Sequence, residues 1–197
     1  NTHSSTTTVK CIVISENLKK ALSHAERATG KDSTLPTLSS FFISAEDGAL
    51  KIVATNLELG IKTLARGTVQ EVGAVVVPAR ALISFLNTFT KEEKITFESQ
   101  GNDLFISSGP QETHFKGYSP EDYPPFPEVS ELYWVAFPAF EFRNVLGHAL
   151  TSVSKSTVKQ ELASVSVHLD KDVAVVAATD SFRLSEEKIK PDSTSQK

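Results

Sequence analysis

The sequence predicts an α+β protein built from repeats of one strand-helix-strand-strand-strand (β-α-β-β-β) unit. Ala54-Thr55-Asn56 separates two strand-like runs, and the same design returns at Ala178-Thr179-Asp180, 124 residues later (178 − 54). The same spacing separates two further pairs of landmarks, the starts of two helical apolar faces and of two strands: Leu18 and Phe142, and Leu38 and Leu162. Three landmarks with one spacing indicate a duplicated unit.

The first repeat begins with a strand at Val9–Ile14. Ser15 is predicted to be the N-cap of a helix that runs to about Thr29, with apolar residues at helical spacing. Gly30 stands where a glycine commonly ends a helix. Three strands are predicted after it, around a hairpin turn at 46–48: residues 37–45, 50–53 and 57–69.

The second repeat starts at Val72 with a strand that runs into Pro78, and proline suits the start of a helix. The predicted helix covers residues 79–89, with an apolar stripe at helical spacing: Leu82, Phe85, Leu86 and Phe89. Three further strands are predicted at residues 94–98, 104–108 and 112–118.

A proline-rich segment follows, and it divides the chain. Four prolines between Pro120 and Pro127 are incompatible with a regular helix or a central strand. We therefore predict a domain boundary within residues 127–132. Residues 9–128 are then a first domain of two repeats, residues 129–190 are the first half of a second domain, and residues 1–8 and 191–197 are tails.

The third repeat begins at Trp134, and its Pro138 follows Pro78 by 60 residues. Its helix is expected to turn an apolar side inward: Phe142, Val145, Leu146, Ala149 and Leu150. Strands are predicted at 162–169, 173–177 and 182–189, with a turn at 170–172. This repeat has no second copy in the sequence to pair with.

Composition narrows the class of protein. A formal net charge of −4 argues against nucleic-acid binding over the whole surface but allows a local basic face. The single cysteine, Cys11, excludes an intramolecular disulfide and a cysteine-based zinc site, and fits a reducing compartment. No apolar run approaches the ~20 residues of a membrane span, and the polar N-terminal residues lack a signal-peptide pattern. We therefore expect a cytoplasmic protein.

Six short motifs occur in a distinctive order: STLPTLSS (33–40), ATNLELGIK (54–62), VVVPAR (75–80), SSG (107–109), SPEDYPPFPE (119–128) and ATDSFRL (178–184). Together they resemble the bacterial DNA polymerase sliding clamp family, the beta subunit of the replicative polymerase. The resemblance extends from Val9 to Ile189 and implies the DNA clamp fold. In that fold each chain has three domains of two repeats, and two chains close into a ring. The helices lie on the inner face of antiparallel sheets, around the hole.

The resemblance gives the charged helix faces a role. Cations lie on the predicted solvent side of the three helices or beside them: Lys19, Lys20, Arg27, Arg80, Lys91, Arg143, Lys155 and Lys159. Phosphate contacts are independent of sequence, and a protein that slides along DNA needs few of them. We expect these residues to face double-stranded DNA. The alternative is that they are ordinary solvated helix faces.

The resemblance also implies a pocket that receives short peptides of partner proteins. One wall of it is expected at the third repeat: Leu162, Thr179, Ser181, Phe182, Arg183 and Leu184. Ser181 stands where the family usually has glycine, and Phe182 where it usually has histidine. The alternative is that Leu162 and Leu184 are strand core. Ring closure implies an interface at the outer strand of the first domain, with contacts from His114 and Phe115.

The implied partners are double-stranded DNA, the replicative DNA polymerase, the clamp loader, other proteins with a clamp-binding motif, and a second copy at full length. No cofactor or metal is expected, because the five histidines have no metal-ligand spacing. The sequence has neither a phosphate-binding loop nor a nucleophile elbow. We therefore expect an accessory subunit without catalytic activity. A repeat-built protein scaffold with no DNA role, a serine-histidine hydrolase and a sugar-processing β-rich domain remain as alternatives.

Overall fold

The computed structural model describes residues 8–30, 35–127, 134–170 and 172–195. The chain divides into two compact units, Asn1–Pro127 and Glu128–Lys197, called here the N-terminal and C-terminal lobes. The tail predicted at 1–8 and the boundary predicted at 127–132 lie almost wholly outside the described residues.

Antiparallel strands form one sheet in the described part of the N-terminal lobe. In chain order they are β1 (Lys10–Ile14), β2 (Ser40–Glu46), β3 (Ala49–Thr55), β4 (Gly60–Glu71), β5 (Gly73–Pro78), β6 (Lys94–Gln100), β7 (Asp103–Ser108) and β8 (Gln111–Phe115). Their order in space is β5-β2-β3-β4-β1-β6-β7-β8. The first strand of each repeat pairs with a strand of the other, since β5 lies beside β2 and β1 beside β6. This exchange joins the first two repeats into a single sheet.

Two helices pack on one face of this sheet and contact each other: α1 (Ser15–Ala25) and α2 (Ala79–Leu86). Their apolar sides are fully buried at Leu18, Leu22, Leu82 and Leu86. These side chains belong to one continuous core that both repeats share, and each buried leucine contributes roughly 1.5–3 kcal/mol. The predicted α+β fold, with helices on one face of antiparallel sheets, is confirmed.

A single bridge ties the two ends of the sheet. Tyr118, just after β8, pairs antiparallel with Val76 on β5, and its amide donates to the Val76 carbonyl oxygen at 2.9 Å. Gly117 passes so close to the carbonyl oxygens of Val76 and Asn102 that a Cβ atom would overlap both. The bridge therefore requires a glycine at position 117.

The proline-rich segment is anchored on the other face of the sheet. Tyr123 and Phe126 pack with Val53 and Val76 in a separate apolar cluster. Val76 faces away from the helices because side chains alternate along a strand and its neighbours on β5 lie in the main core. The Tyr123 hydroxyl donates to the Val53 carbonyl oxygen at 3.3 Å, and burial raises the pKa of Tyr123 to about 12.

The C-terminal lobe contains a single repeat. Its elements are β9 (Val135–Ala136), α3 (Ala139–Leu150), β10 (Ser166–Asp170), β11 (Val173–Thr179), β12 (Leu184–Ile189) and β13 (Ser193–Thr194). Strands β10, β11 and β12 form an antiparallel sheet on which α3 packs, with Val145 and Ala149 buried. The short strand β9 pairs with β13.

Several predicted boundaries are wrong. Ser15 is the first residue of α1 and not its N-cap, and its buried hydroxyl has no hydrogen-bond partner among the described residues. The strand predicted from Thr37 begins at Ser40, because Pro36–Ser39 forms a 3-10 turn. Further corrected bounds are the end of α1 at Ala25, the end of α2 at Leu86, the start of β4 at Gly60, the end of β8 at Phe115 and the start of β12 at Leu184.

Three predictions about the third repeat are also wrong. The strand expected from Leu162 begins at Ser166, because residues 160–164 form a turn. Leu150 is 61% exposed and does not face inward. The predicted tail at 191–197 contains β13, in which Thr194 pairs with Val135.

The mispredicted tail follows from the repeat itself. In the first repeat Val69 pairs with Cys11. Adding 124 to both numbers gives residues 193 and 135, which is one residue away from the observed pairing of Val135 with Thr194. The duplication therefore extends further toward the C-terminus than the sequence landmarks indicated.

We predict that Gly117→Ala lowers the free energy of unfolding by about 2 kcal/mol, because overlap with two backbone oxygens forces the chain away from β5. Chemical denaturation followed by circular dichroism measures this. Gly147→Ala is the control, since a Cβ there meets nothing within 4 Å and alanine favours a helix by about 0.5–1 kcal/mol. Equal stability of Gly117→Ala and the wild type would contradict the role of the bridge.

We predict that Tyr123→Phe removes part of the alkaline loss of stability. In the folded wild type, burial raises the pKa of Tyr123 to about 12, from the ordinary tyrosine value of 10.0. Its contribution to the free energy of unfolding is therefore present below pH 10 and is lost as pH rises toward 12. Urea denaturation at intervals between pH 9 and 12 should show that the free energy of unfolding falls less steeply with pH in Tyr123→Phe than in the wild type. An unchanged slope in Tyr123→Phe would contradict the burial argument.

Candidate nucleic-acid and partner-binding surfaces

Most of the predicted cations of the N-terminal lobe are exposed on its helical side. Lys20 lies on α1, Arg27 in the 3-10 turn after it, and Arg80 in the first turn of α2. Lys91 lies in the turn that follows α2, and its carbonyl oxygen accepts a hydrogen bond from the Glu16 amide at 3.1 Å. Because α1 and α2 contact each other on one face of the sheet, these charges lie on the same side of the lobe.

Lys19 differs from the other cations because it is engaged within the protein. Its Nζ donates to the Phe89 carbonyl oxygen at 2.6 Å, in a half-buried position beyond the end of α2. The carbonyl groups at a helix end carry partial negative charge, which a lysine stabilises. Lys19 also contributes to the lowered pKa of Glu93, although the main cause is the hydrogen bond from the Thr90 backbone amide. Lys19 therefore holds α1 against the end of α2.

The cations of the C-terminal lobe are exposed. Arg143 lies on α3, and Lys155 and Lys159 lie in the loop between α3 and β10. The amide of Ser154 donates to the Leu162 carbonyl oxygen at 2.8 Å, which closes this loop at its base. The two lysines are thus exposed on a loop that is closed by a backbone hydrogen bond.

Side-chain oxygens organise the turn at Thr179–Leu184. The Asp180 carboxylate accepts hydrogen bonds from the amides of Phe182 and Arg183, both at 3.0 Å, and pairs with Arg183 Nε at 3.0 Å. The Thr179 hydroxyl accepts from the Ser181 amide and donates to the Arg183 carbonyl oxygen. The hydrogen bond from the Phe182 amide is the largest cause that lowers the pKa of Asp180. The turn is therefore held in its conformation by its own hydrogen bonds.

The equivalent turn of the first repeat has the same construction. The Thr55 hydroxyl accepts from the Leu57 amide, and Asn56 Oδ1 accepts from the amides of Glu58 and Leu59. Leu57 and Ser181, 124 residues apart, both have positive φ angles, 74° and 77°. A side chain in this conformation costs about 1 kcal/mol or more. Ser181 thus adopts the conformation that a glycine would adopt more readily.

The turn exposes apolar side chains. Phe182 is 98% exposed and Leu184 is 66% exposed, so the alternative that Leu184 is strand core is wrong. Leu162 is half-buried in the turn before β10 and not on a strand. The structure groups Thr179, Ser181, Phe182, Arg183 and Leu184 in one turn, and Leu162 is not a partner in the hydrogen bonds described above for that turn.

The predicted ring-interface residues lie on β8, the last strand of the sheet order. His114 is exposed and stacks on Phe105, with ring centroids 5.7 Å apart. Phe115 is half-buried, packs against the main core and makes an edge contact with Phe85 at 5.8 Å. His114 is therefore available at this edge, and Phe115 is largely committed to the lobe itself.

Other classes of site find no support among the described residues. No group of three or more His, Cys, Asp or Glu side chains there is placed to hold a metal ion. Cys11 is buried, and burial raises the pKa of its thiol. No described helix has the length and apolar character needed to cross a membrane.

A family model for the DNA polymerase III beta subunit, N-terminal domain, matches residues 9–127. The chain belongs to this family. The DNA clamp fold implied by the sequence motifs is thereby confirmed. The matched residues lie within the N-terminal lobe and include all of its described strands and helices.

Curated relatives extend the match beyond that domain. The beta sliding clamp of Synechococcus elongatus is 26% identical over 179 residues, which cover 90% of this chain and 48% of the relative. That of Staphylococcus aureus is also 26% identical over 179 residues, which cover 86% of this chain and 47% of the relative. The chain therefore spans about half the length of the curated relatives it matches.

Solved structures show the same fold. The DNA polymerase sliding clamp of Bacillus subtilis superposes with a TM-score of 0.89 at 21% identity, covering 96% of this chain and 52% of that one. The sliding clamp of Bartonella birtlesii, bound to griselimycin, gives a TM-score of 0.84 at 22% identity, with coverage of 94% and 51%.

We predict that Lys19→Met destabilises the N-terminal lobe by about 1–2 kcal/mol, because it leaves the Phe89 carbonyl oxygen without its charged donor. Lys20→Met, one position along the same helix and exposed, is the matched control and should change stability by less than about 0.5 kcal/mol. Urea denaturation of both variants measures the difference. Equal effects of the two substitutions would show that Lys19 is an ordinary surface lysine.

Proposed function

We propose that this chain is the first part of a DNA sliding clamp, the processivity factor of a replicative DNA polymerase. The N-terminal lobe is its first domain and the C-terminal lobe is the first half of its second. The observation that carries this proposal is the match of residues 9–127 to the beta subunit family. The exposed cations on the helical side of the N-terminal lobe support it.

The electrostatics fit a protein that surrounds DNA without gripping it. The chain carries a formal net charge of −4, so its net charge does not favour binding of a polyanion and association with DNA depends on a restricted basic face. The DNA-facing residues we propose are Lys20, Arg27, Arg80, Lys91, Arg143, Lys155 and Lys159. Each phosphate contact adds to the salt dependence of binding, so a few contacts with scattered cations permit sliding. Lys19 supports this face by fixing α1 against the end of α2.

The turn at Thr179–Leu184 is proposed as one wall of the partner-peptide pocket. An exposed aromatic ring, an exposed leucine and an arginine on a pre-organised turn are features of a site that takes an apolar peptide anchor. Leu162 would complete this wall. The partners would be the replicative polymerase, the clamp loader and other proteins with a clamp-binding motif. We expect this wall by itself to bind peptide weakly.

We further propose that β8 takes part in ring closure with a second copy, through His114 and the free strand edge, while Phe115 supports that edge from within. The protein would act in the cytoplasm, as an accessory subunit with no catalytic activity of its own.

The test is retention on DNA of the protein at the length of its relatives. After incubation with duplex DNA and a wash in high salt, a sliding clamp remains on circular DNA and is lost when the same circle is cut, because enclosure and not affinity holds it. Native gel filtration of the complexes measures both fractions. A nicked circle is the control for the broken strand and should retain the protein. Equal loss from circular and linear DNA would contradict the proposal and favour a protein-binding scaffold.

A further inference from the structure

A cavity of about 360 Å³ that is open to solvent on one side lies between α1 and β4 in the N-terminal lobe. It is lined by Asn17, Lys20, Ala21, His24, Thr63, Leu64 and Arg66. Its volume is in the range of sites that hold small ligands. Only Lys20 among these residues was singled out by the sequence, because the cavity depends on a contact between elements about forty residues apart in the chain.

The cavity exists because β4 has an open edge beside α1. Strand β1 pairs with β4 only from Gly67 onward, and after Ile14 the chain turns into α1. The helix lies close to the uncovered part of β4, since the Thr63 hydroxyl donates to the Ala21 carbonyl oxygen at 3.1 Å. The groove is therefore bounded by one side of α1 and by the edge of a strand.

The open edge supplies a backbone donor. The amide of Gly67 donates to the Gly48 carbonyl oxygen at 3.1 Å, on the side of β3. In an antiparallel ladder, successive amides point to opposite edges, so the amide of Thr63 points toward β3 and that of Leu64 points away from it. Leu64 also lines the cavity. Its amide is thus directed to the edge that the cavity occupies.

The side chains around the cavity favour negative charge. Lys20 and Arg66 are cationic, His24 adds a third basic group, and Asn17 offers an amide donor. No acidic side chain is among the lining residues, and none of the three basic groups forms a salt bridge within the described part of the chain. A bound anion would be attracted by the Lys20 and Arg66 side chains, and no lining carboxylate would oppose it.

We propose that this cavity is a binding site for a phosphate group, held by Lys20, Arg66 and His24 and by the Leu64 amide. A guanidinium and a backbone amide are the donors that phosphate oxygens accept most effectively. The phosphate belongs either to a small phosphorylated molecule or to the backbone of a nucleic acid. The site does not depend on ring formation, since one lobe supplies every donor.

The test uses this 197-residue chain and inorganic pyrophosphate as the probe. Amide NMR spectra should show saturable shifts of Leu64 and its neighbours on β4. Arg66→Gln and Lys20→Gln should each weaken binding about tenfold, the loss expected for one charged hydrogen bond. Lys94→Gln removes an exposed charge of β6 outside the cavity and should change the affinity less than about twofold. Unmoved Leu64 resonances, or equal weakening by Lys94→Gln, would overturn the site.

A second titration, with a short DNA duplex, distinguishes the two sources of the phosphate. If the site takes backbone phosphate, the duplex shifts the same amides and pyrophosphate competes with it. If the site takes a small phosphorylated molecule, pyrophosphate still shifts Leu64 and the duplex leaves it unmoved. Both results support the site. Circular dichroism of each variant confirms that lost binding is not lost folding.

Discussion

The exchange of first strands between two repeats is the constraint on which the N-terminal lobe depends. Strand β1 lies between β4 of its own repeat and β6 of the next, with Cys11 and Val13 essentially inaccessible to solvent. Neither repeat completes its sheet alone, and the core beneath α1 and α2 is shared. The C-terminal lobe shows what one repeat achieves by itself. Its described part has a much smaller core, and Phe140 and Leu150 of α3 remain mostly exposed.

Much of the fold was predictable because the repeat carries its pattern in local sequence. Alternation, helical stripes and the turns at Asn56 and Asp180 are all short-range signals. The errors came from conformations that such patterns do not encode. Leu57 and Ser181 adopt positive φ angles. The strands that follow them, β4 and β12, therefore begin two or three residues later than predicted. Strand β13 forms only because a segment almost 60 residues earlier in the chain pairs with it, and a two-residue pairing leaves no periodicity to recognise.

The sequence predicted which charged residues lie on the candidate surfaces, but not which of the predicted side chains make contacts within the protein. Lys19 and Lys20 are equivalent in sequence, yet a carbonyl oxygen 70 residues away engages one of them. Phe115 was predicted to lie at the exposed edge of the sheet. Its ring instead contacts the ring of Phe85 and packs against the main core. His24 and Arg66 were missed because the sequence does not show which strand edge α1 approaches. Only the approach of α1 to the open edge of β4 brings them together.

The bridge between Val76 and Tyr118 has a mechanical consequence. Tension that reaches the lobe through the proline-rich segment first meets the packing of Tyr123 and then this bridge. Through this bridge the load is transferred to β5, at the opposite end of the sheet order. It therefore does not break the hydrogen bonds between β8 and β7 one at a time. The bridge and the Tyr123 packing thereby oppose traction applied to the C-terminal end of the lobe.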